Sequence, residues 1–169
     1  MSVVSDASPL IFLAKVRRLD LMQKVLGNDV RVTQSVRNET LLHKVDPEEA
    51  RILEAFFALC AVEDVRPQRR FALALSRADN DTLSLAVRCR AAMLVCDDRL
   101  LRAMAEAEGI RPLGTLGLVL RAMRKGLLSK SETRRLVDVP VRVHGFRISI
   151  EVYQSVVAQI DSHSGKRGA

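Results

Sequence analysis

The sequence has 169 residues, of which 48% are hydrophobic and 28% charged, so it can form one folded domain and is not intrinsically disordered. No apolar stretch approaches the roughly 20 residues of a membrane-spanning helix, and the three cysteines lack C-x-x-C spacing, which predicts a cytoplasmic protein with no membrane partner. The net charge of +7 falls entirely within residues 111–147, which favours either a polyanionic partner or a solvated helix face.

Strands and helices are predicted to alternate along the chain. Strands are expected at residues 3–5, 30–33, 60–65, 93–96 and, more weakly, 111–113. In the first half of the chain, helices are expected over about 9–14, 19–26, 34–43 and 46–59. In the second half, one helix is expected to begin at residue 79 or 81 and another to run from after Asp98 up to Gly109. Three more are expected over 115–125, over a short stretch from Ser131, and over 149–160. This alternation predicts a mostly parallel sheet covered by helices on both faces.

Glycine-rich phosphate loops are absent from the sequence. Neither G-x-G-x-x-G nor G-x-x-x-x-G-K-S occurs, which argues against a nucleotide-cofactor site.

Acidic residues stand repeatedly at predicted strand ends or at the helices that follow them. Each one alone is typical of a helix N-cap. Together they would repel one another unless a cation neutralised them, and carboxylate oxygens suit Mg²⁺ or Mn²⁺. Such ions promote phosphodiester hydrolysis. The acidic residues are Asp6, Glu39, Asp79, Asp81, Asp97 and Asp98.

Several segments resemble the PIN-domain family, in particular its bacterial branch related to VapC-type toxins. Residues 4–11 read VSDASPLI, and residues 36–39 read VRNE. Residues 78–86 read ADNDTLSLA, and residues 94–99 read LVCDDR. Residues 114–117 (GTLG) and 145–149 (GFRIS) also match, so the resemblance covers roughly residues 2–155.

The resemblance implies a three-layer α/β/α domain over residues 1–140. A short helical extension over 141–161 and a disordered tail over 162–169 are expected to follow. It also implies catalytic and metal-binding roles for Asp6, Glu39, Asp81 and Asp98, with Asp79 and Asp97 as auxiliary ligands. Ser8 would either contact the metal site or serve as a helix-start hydroxyl. Two departures stand out: Asp replaces the branch's usual Glu at positions 79 and 81, and Cys96 stands where many toxins have Ser or Thr.

The function expected from the resemblance is that of a divalent-metal-dependent ribonuclease, the toxin of a toxin–antitoxin pair. Its partners would be RNA, a small DNA-binding antitoxin and a second copy of the chain. A catalytically inactive protein- or RNA-binding module and a DNA-directed or structure-specific nuclease remain as alternatives.

The basic stretch supplies candidate contacts to the phosphates of a nucleic acid. Phosphate contacts contribute most of non-specific nucleic-acid affinity. The candidate side chains are Arg121, Arg124, Lys125, Arg134 and Arg135.

Overall fold

The computed structural model describes residues 2–42, 46–66, 69–143 and 148–163, and for residues 139–143 it describes the backbone alone. Within these ranges five strands form one sheet, and every pairing is parallel. The strands are β1 (Val3–Ser5), β2 (Val30–Thr33), β3 (Ala61–Glu63), β4 (Met93–Val95) and β5 (Arg111–Leu113). Their order across the sheet is β3-β2-β1-β4-β5.

Helices connect the strands and extend beyond the last one. In the described ranges they are α1 (Ala7–Lys15), α2 (Asp20–Leu26), α3 (Gln34–Leu42), α4 (Pro47–Phe57), α5 (Arg77–Arg88), α6 (Arg99–Ala107), α7 (Thr115–Arg124), α8 (Lys130–Val143) and α9 (Ile150–Ser162). No helix in the described ranges is long and apolar enough to cross a membrane.

The central strand β1 shows that helices cover both faces of the sheet. Val3 and Val4 are neighbours on this strand, so their side chains point to opposite faces, and both are fully buried. On one side Val4 pairs with Arg31 of β2, and on the other with Leu94 of β4. The predicted three-layer α/β/α fold is therefore confirmed.

The chain divides into two compact units. The first, Met1–Thr115, contains the whole sheet, and the second, Leu116–Ala169, contains most of α7 together with α8 and α9. In the second unit α8 and α9 pack against each other, and the Tyr153 hydroxyl donates a 2.7 Å hydrogen bond to Asp138.

Three helices differ from their predicted limits. α1 runs from Ala7 to Lys15 rather than over 9–14, and the chain then turns at Arg17, which has a φ of 56°. α5 begins at Arg77 rather than at an aspartate, because Ser76 and Asp79 form a capping box. α8 is not short and runs from Lys130 to Val143, past the proline at position 140.

Candidate active site

Asp6, Asp97 and Asp98 follow adjacent strands of the sheet. Ser5 of β1 is in register with Val95 of β4, and the Asp6 N–H donates a 2.9 Å hydrogen bond to the Val95 carbonyl. Both strands are parallel, so the residues that follow them emerge at the same edge. Ligands of parallel α/β sheets bind at this edge.

Asp6 is the most perturbed carboxyl group in this region. Its side chain occupies the N-cap position of α1 and is only 4% exposed. Its pKa is raised to about 7, mainly by burial and to a smaller extent by the negative charges of Asp79 and Glu39. The N–H groups of Ala7 and Ser8 oppose this rise, although no capping hydrogen bond of standard geometry forms with a described residue. Glu39 and Asp79 therefore each lie within electrostatic range of Asp6.

Asp81 is held by a contact that the sequence did not predict. Its carboxylate, which is buried, accepts a short hydrogen bond from the Ser35 hydroxyl and so joins α5 to α3. Ser35 lies four residues, about one helical turn, before Glu39 on α3. This spacing from a predicted ligand is the feature of the sequence that could have placed Ser35 near the acidic residues. Arg77 lies 4.0 Å from Asp81, but its side chain is 95% exposed, so this ion pair contributes little.

Asp79 also has a structural role. It accepts a 3.1 Å hydrogen bond from the Ser76 N–H, while the Asp79 N–H donates to the Ser76 hydroxyl at 3.1 Å. These reciprocal bonds satisfy two N–H groups at the start of α5. One oxygen of Asp79 is thus engaged in capping while its charge acts on Asp6.

Asp97 and Asp98 make ordered contacts within the first unit. Asp98 is the N-cap of α6 and accepts a 2.8 Å hydrogen bond from the Leu101 N–H. Asp97 accepts hydrogen bonds from the N–H of Thr115 at 2.8 Å and from its hydroxyl at 2.6 Å. A Cβ at Gly114 would lie 3.1 Å from Arg102 Nη1 and 3.3 Å from Asp97 Oδ1, so glycine keeps this approach open.

Cys96 is a buried thiol surrounded by charge rather than a nucleophile. Its pKa is raised to about 12, mainly by burial and to a smaller extent by the charge of Asp6. Asp97 and Asp98 also raise the pKa, whereas Arg102 lowers it. The thiol is therefore protonated at neutral pH, and its environment shows that these three aspartates share one neighbourhood.

The predicted acids do not form a ready-made metal cluster. Among the described residues, no group of three or more His, Cys, Asp or Glu side chains is arranged to hold a metal ion. The charges of Glu39 and Asp79 shift the pKa of Asp6. The charges of Asp6, Asp97 and Asp98 shift the pKa of Cys96. Ser8 is exposed on the first turn of α1, and its predicted contact with the site stays a prediction.

The predicted phosphate-binding residues lie on α7, directly after it at Lys125, and on α8, and some are engaged locally. Arg124 donates a 2.7 Å hydrogen bond to Gln159. Arg134 pairs with Asp138 at 3.2 Å and lies 3.9 Å from Asp161. Arg124, Lys125 and Arg135 are exposed, whereas Arg121 is half-buried. Their role in nucleic-acid binding stays a prediction.

The first unit is an α/β domain whose parallel sheet lies between helix layers, with acidic side chains at the carboxyl ends of two adjacent strands. A family model described as a PIN domain, DUF3368, matches residues 2–162. The chain therefore belongs to the PIN-domain family, whose members are in general nucleases. No protein of curated function matches the sequence significantly.

Proposed function

We propose that this protein is a divalent-metal-dependent endoribonuclease. The observation that carries the proposal is Asp6, a buried carboxyl group with a pKa near 7 and two further acidic side chains acting on it. The negative charges in such an arrangement repel one another, and a bound cation would reduce this repulsion. Perturbed carboxyl groups of this kind are typical of functional sites.

The donor set fits Mg²⁺ or Mn²⁺ in its chemistry. It consists of carboxylate oxygens, which hard cations prefer, and the cysteine beside them stays protonated. When bound, the cation would stabilise the negative charge that develops during phosphodiester hydrolysis. The residues that would hold it are Asp6, Glu39, Asp81 and Asp98, with Asp79 and Asp97 in support.

The residues around the acids have distinct tasks in this proposal. With a pKa of about 7, Asp6 is partly protonated at neutral pH, and a bound cation would shift it to its charged form. Ser35 fixes the rotamer of Asp81 through its hydrogen bond. Thr115 fixes Asp97 through two hydrogen bonds, and this connects the end of β4 to the start of α7.

The physiological role that we propose is that of a cytoplasmic toxin held inactive by a small DNA-binding antitoxin. Its support is the sequence resemblance, and the same resemblance supports a homodimer. We also propose the domain limits expected from the sequence, a PIN domain over 1–140, a helical extension over 141–161 and a tail over 162–169, most of which lies outside the described residues. The exposed cations of the second unit, among them Lys125 and Arg135, would contact the RNA backbone.

A second candidate is a PIN domain that binds RNA or protein without cleaving it. The observation that favours it is the engagement of Asp97 and Asp98 in structural hydrogen bonds. The acids also lack a ready-made cluster among the described residues. A nuclease directed to DNA is the third candidate, and only its substrate differs from that of the main proposal.

A cleavage assay separates the three candidates. Purified protein is incubated with labelled single-stranded RNA or DNA in Mg²⁺, Mn²⁺ or EDTA, and the products are resolved on a gel. We expect RNA cleavage in either metal and none in EDTA. Cleavage of DNA alone would support the DNA-directed nuclease, and binding of RNA without cleavage would support the inactive module.

The toxin role has its own test in living cells. Expressed alone in bacteria, the wild type should slow growth, whereas Asp98→Asn should not. Equal growth at matched levels of soluble protein would contradict the toxin role. It would leave the cleavage assay as the test of the enzymatic activity.

A further inference from the structure

Arg102 is a half-buried arginine that has no carboxylate partner in the described part of the chain. Its side chain is partly removed from water, yet it forms no ion pair with a described residue. Two other half-buried arginines show the usual arrangement. Arg18 pairs with Asp20 at 3.2 Å. Arg31 pairs with Glu63 at 3.1 Å. A partly desolvated cation is stabilised by a counter-ion, and an anion that binds from outside the chain would supply one for Arg102.

The hydrogen bonding of the Arg102 guanidinium also leaves room for a ligand. With a described residue it makes one hydrogen bond, in which Nη1 donates to the Cys96 carbonyl at 3.4 Å. This distance is long for an N–H···O hydrogen bond, for which about 2.9 Å is usual. A guanidinium carries several N–H donors in a planar fork. Most of the donors of Arg102 are therefore available to solvent or to a bound anion.

Measured distances place Arg102 at the carboxyl edge of the sheet, beside Asp97. Arg102 lies near the start of α6, which follows β4, and Gly114 follows the adjacent parallel strand β5. A Cβ added to Gly114 would lie 3.1 Å from Arg102 Nη1 and 3.3 Å from Asp97 Oδ1. The cation and the carboxylate therefore lie beside the same backbone position. Because residue 114 is glycine, the space next to the guanidinium is not filled by a side chain.

The charge of Arg102 acts on the same neighbourhood as the acidic side chains. Apart from burial, which raises it most, the pKa of the Cys96 thiol responds to nearby charges. Arg102 lowers this pKa, whereas the acidic side chains that raise it are Asp6, Asp97 and Asp98. A nucleic acid at this edge brings further negative charge, and like charges placed together weaken binding. The guanidinium of Arg102 would offset this repulsion.

We propose that Arg102 binds a backbone phosphate of the RNA strand at this edge of the sheet and so holds the strand beside the acidic side chains. The inference rests on the nucleic-acid substrate of the function proposed above and does not depend on its metal. Paired N–H donors of a guanidinium match two oxygens of a phosphate, which favours arginine for this contact. Ligands of parallel α/β sheets bind at the edge where Arg102 lies.

The test measures RNA affinity in EDTA, where metal-dependent cleavage cannot destroy the probe. Fluorescence anisotropy with a labelled single-stranded RNA gives the affinity at several salt concentrations, and thermal unfolding confirms that each variant is folded. Arg102→Ala removes the guanidinium, and Arg102→Lys keeps the positive charge without the planar fork. Gly114→Ala places a methyl group beside the guanidinium. Arg51→Ala, at an exposed arginine of α4, is the matched control.

We expect Arg102→Ala to weaken RNA binding about tenfold and to reduce the slope of log affinity against log salt concentration by about 0.7, the value for one phosphate contact. Arg102→Lys should keep the slope of the wild type but bind RNA more weakly, because it loses the paired donors. Gly114→Ala should weaken binding when Arg102 is present and have no further effect in Arg102→Ala, since its methyl group displaces the guanidinium. Arg51→Ala should bind RNA as the wild type does.

Three results would overturn the inference: no RNA binding by the wild type in EDTA, wild-type affinity and salt slope in Arg102→Ala, or an equal loss of affinity in Arg51→Ala. If Arg102→Ala did not fold, wild-type affinity in Gly114→Ala would overturn it instead. The proposed function is tested separately by cleavage in Mn²⁺. RNA binding that depends on Arg102 without any cleavage would support the inference and contradict the proposed catalysis. Cleavage with unchanged binding in Arg102→Ala would do the reverse.

Discussion

The Ser35 hydroxyl donates a hydrogen bond to Oδ2 of Asp81, and this contact joins the first turn of α3 to the first half of α5. Glu39 lies one turn further along α3, so the same contact sets the position of a second acid relative to the first. The relative positions of two predicted ligands thus depend on a serine outside the acidic set.

Ser35→Ala should therefore impair the site more than the fold. We expect Mn²⁺ binding to weaken about tenfold, because Asp81 would lose the group that orients it. A hydrogen bond to a charged group contributes about 1.5–3 kcal/mol, so the melting temperature should fall by several degrees. Calorimetry and thermal unfolding measure the two effects. Ser84→Ala, which removes a hydroxyl bonded to its own helix, is the control and should retain Mn²⁺ affinity.

Wild-type Mn²⁺ affinity in Ser35→Ala would contradict this account. Asp81 would then take its position without Ser35. The hydrogen bond would be purely structural.

The stability of the metal-free protein should depend on pH through Asp6. Between its ordinary pKa of 3.8 and about 7, the folded protein keeps a proton on Asp6 that the unfolded chain has lost. The folded state binds more protons in this range, so raising the pH lowers the free energy of unfolding. Asp6→Asn removes this loss. It should melt at a higher temperature than the wild type at pH 8, with a difference that shrinks towards pH 5.

Thermal unfolding in EDTA at several pH values measures this difference. A gain of about 2 kcal/mol at pH 8 would raise the melting temperature by about 4–8 °C. Asp29→Asn, at an exposed aspartate before β2, is the control and should show no such pH-dependent gain. Parallel melting curves for wild type and Asp6→Asn across this range would show that Asp6 is not the perturbed group.

Much of the fold could be predicted because its signals are local. β4 is a short apolar run followed by two aspartates, and β5 is a weak edge strand as its proline suggested. The predicted ends of α2 and α7 also agree with Gly27 and Gly126, whose φ values are positive at 92° and 73°.

The roles of the acids could not be predicted to the same extent, because they depend on tertiary contacts. An aspartate after a strand is compatible with a helix cap and with a metal ligand, and Asp98 forms the cap. The partners of Asp97 and Asp81 come from residues 18 and 46 positions away, so the sequence pattern did not reveal them.

Asp97 and Thr115 should be energetically coupled. Two hydrogen bonds join them, one from the Thr115 N–H and one from its hydroxyl, and Thr115 is fully buried. Thr115→Val removes the hydroxyl donor and keeps the N–H, whereas Asp97→Asn removes the charge that strengthens both hydrogen bonds. We expect Asp97→Asn and Thr115→Val each to cost about 1–3 kcal/mol of stability. The double variant should cost clearly less than the sum of the two. Denaturant unfolding of the four proteins measures this coupling, and strictly additive losses would show that the pair does not act as a unit.

The basic residues at the end of α7, Arg124 and the following Lys125, should contribute to RNA binding through phosphate contacts. Each contact to a single strand adds about 0.7 to the slope of log affinity against log salt concentration. Replacing Arg124 and Lys125 with Ala should therefore reduce that slope by about 1 to 1.5. Fluorescence anisotropy with an uncleavable RNA measures it. Replacing Arg51 and Arg90, which are also exposed, is the charge-matched control and should leave the slope unchanged.

An unaltered slope in the Arg124→Ala/Lys125→Ala variant would contradict this assignment. The two side chains would then serve the second unit itself, as the Arg124–Gln159 hydrogen bond already does. Mn²⁺ affinity should not change in either variant, because the predicted ligands lie within the first unit.

The central claim is that Asp6 and its acidic neighbours hold a cation that hydrolyses RNA. Its most direct test is the rate of Mn²⁺-dependent RNA cleavage under single-turnover conditions, compared between wild type, Asp6→Asn and the exposed control Asp29→Asn. We predict cleavage by wild type and Asp29→Asn at similar rates, and at least a hundredfold loss in folded Asp6→Asn, on the order of what removing one key electrostatic group costs an enzyme. Cleavage by Asp6→Asn at the wild-type rate would contradict the account.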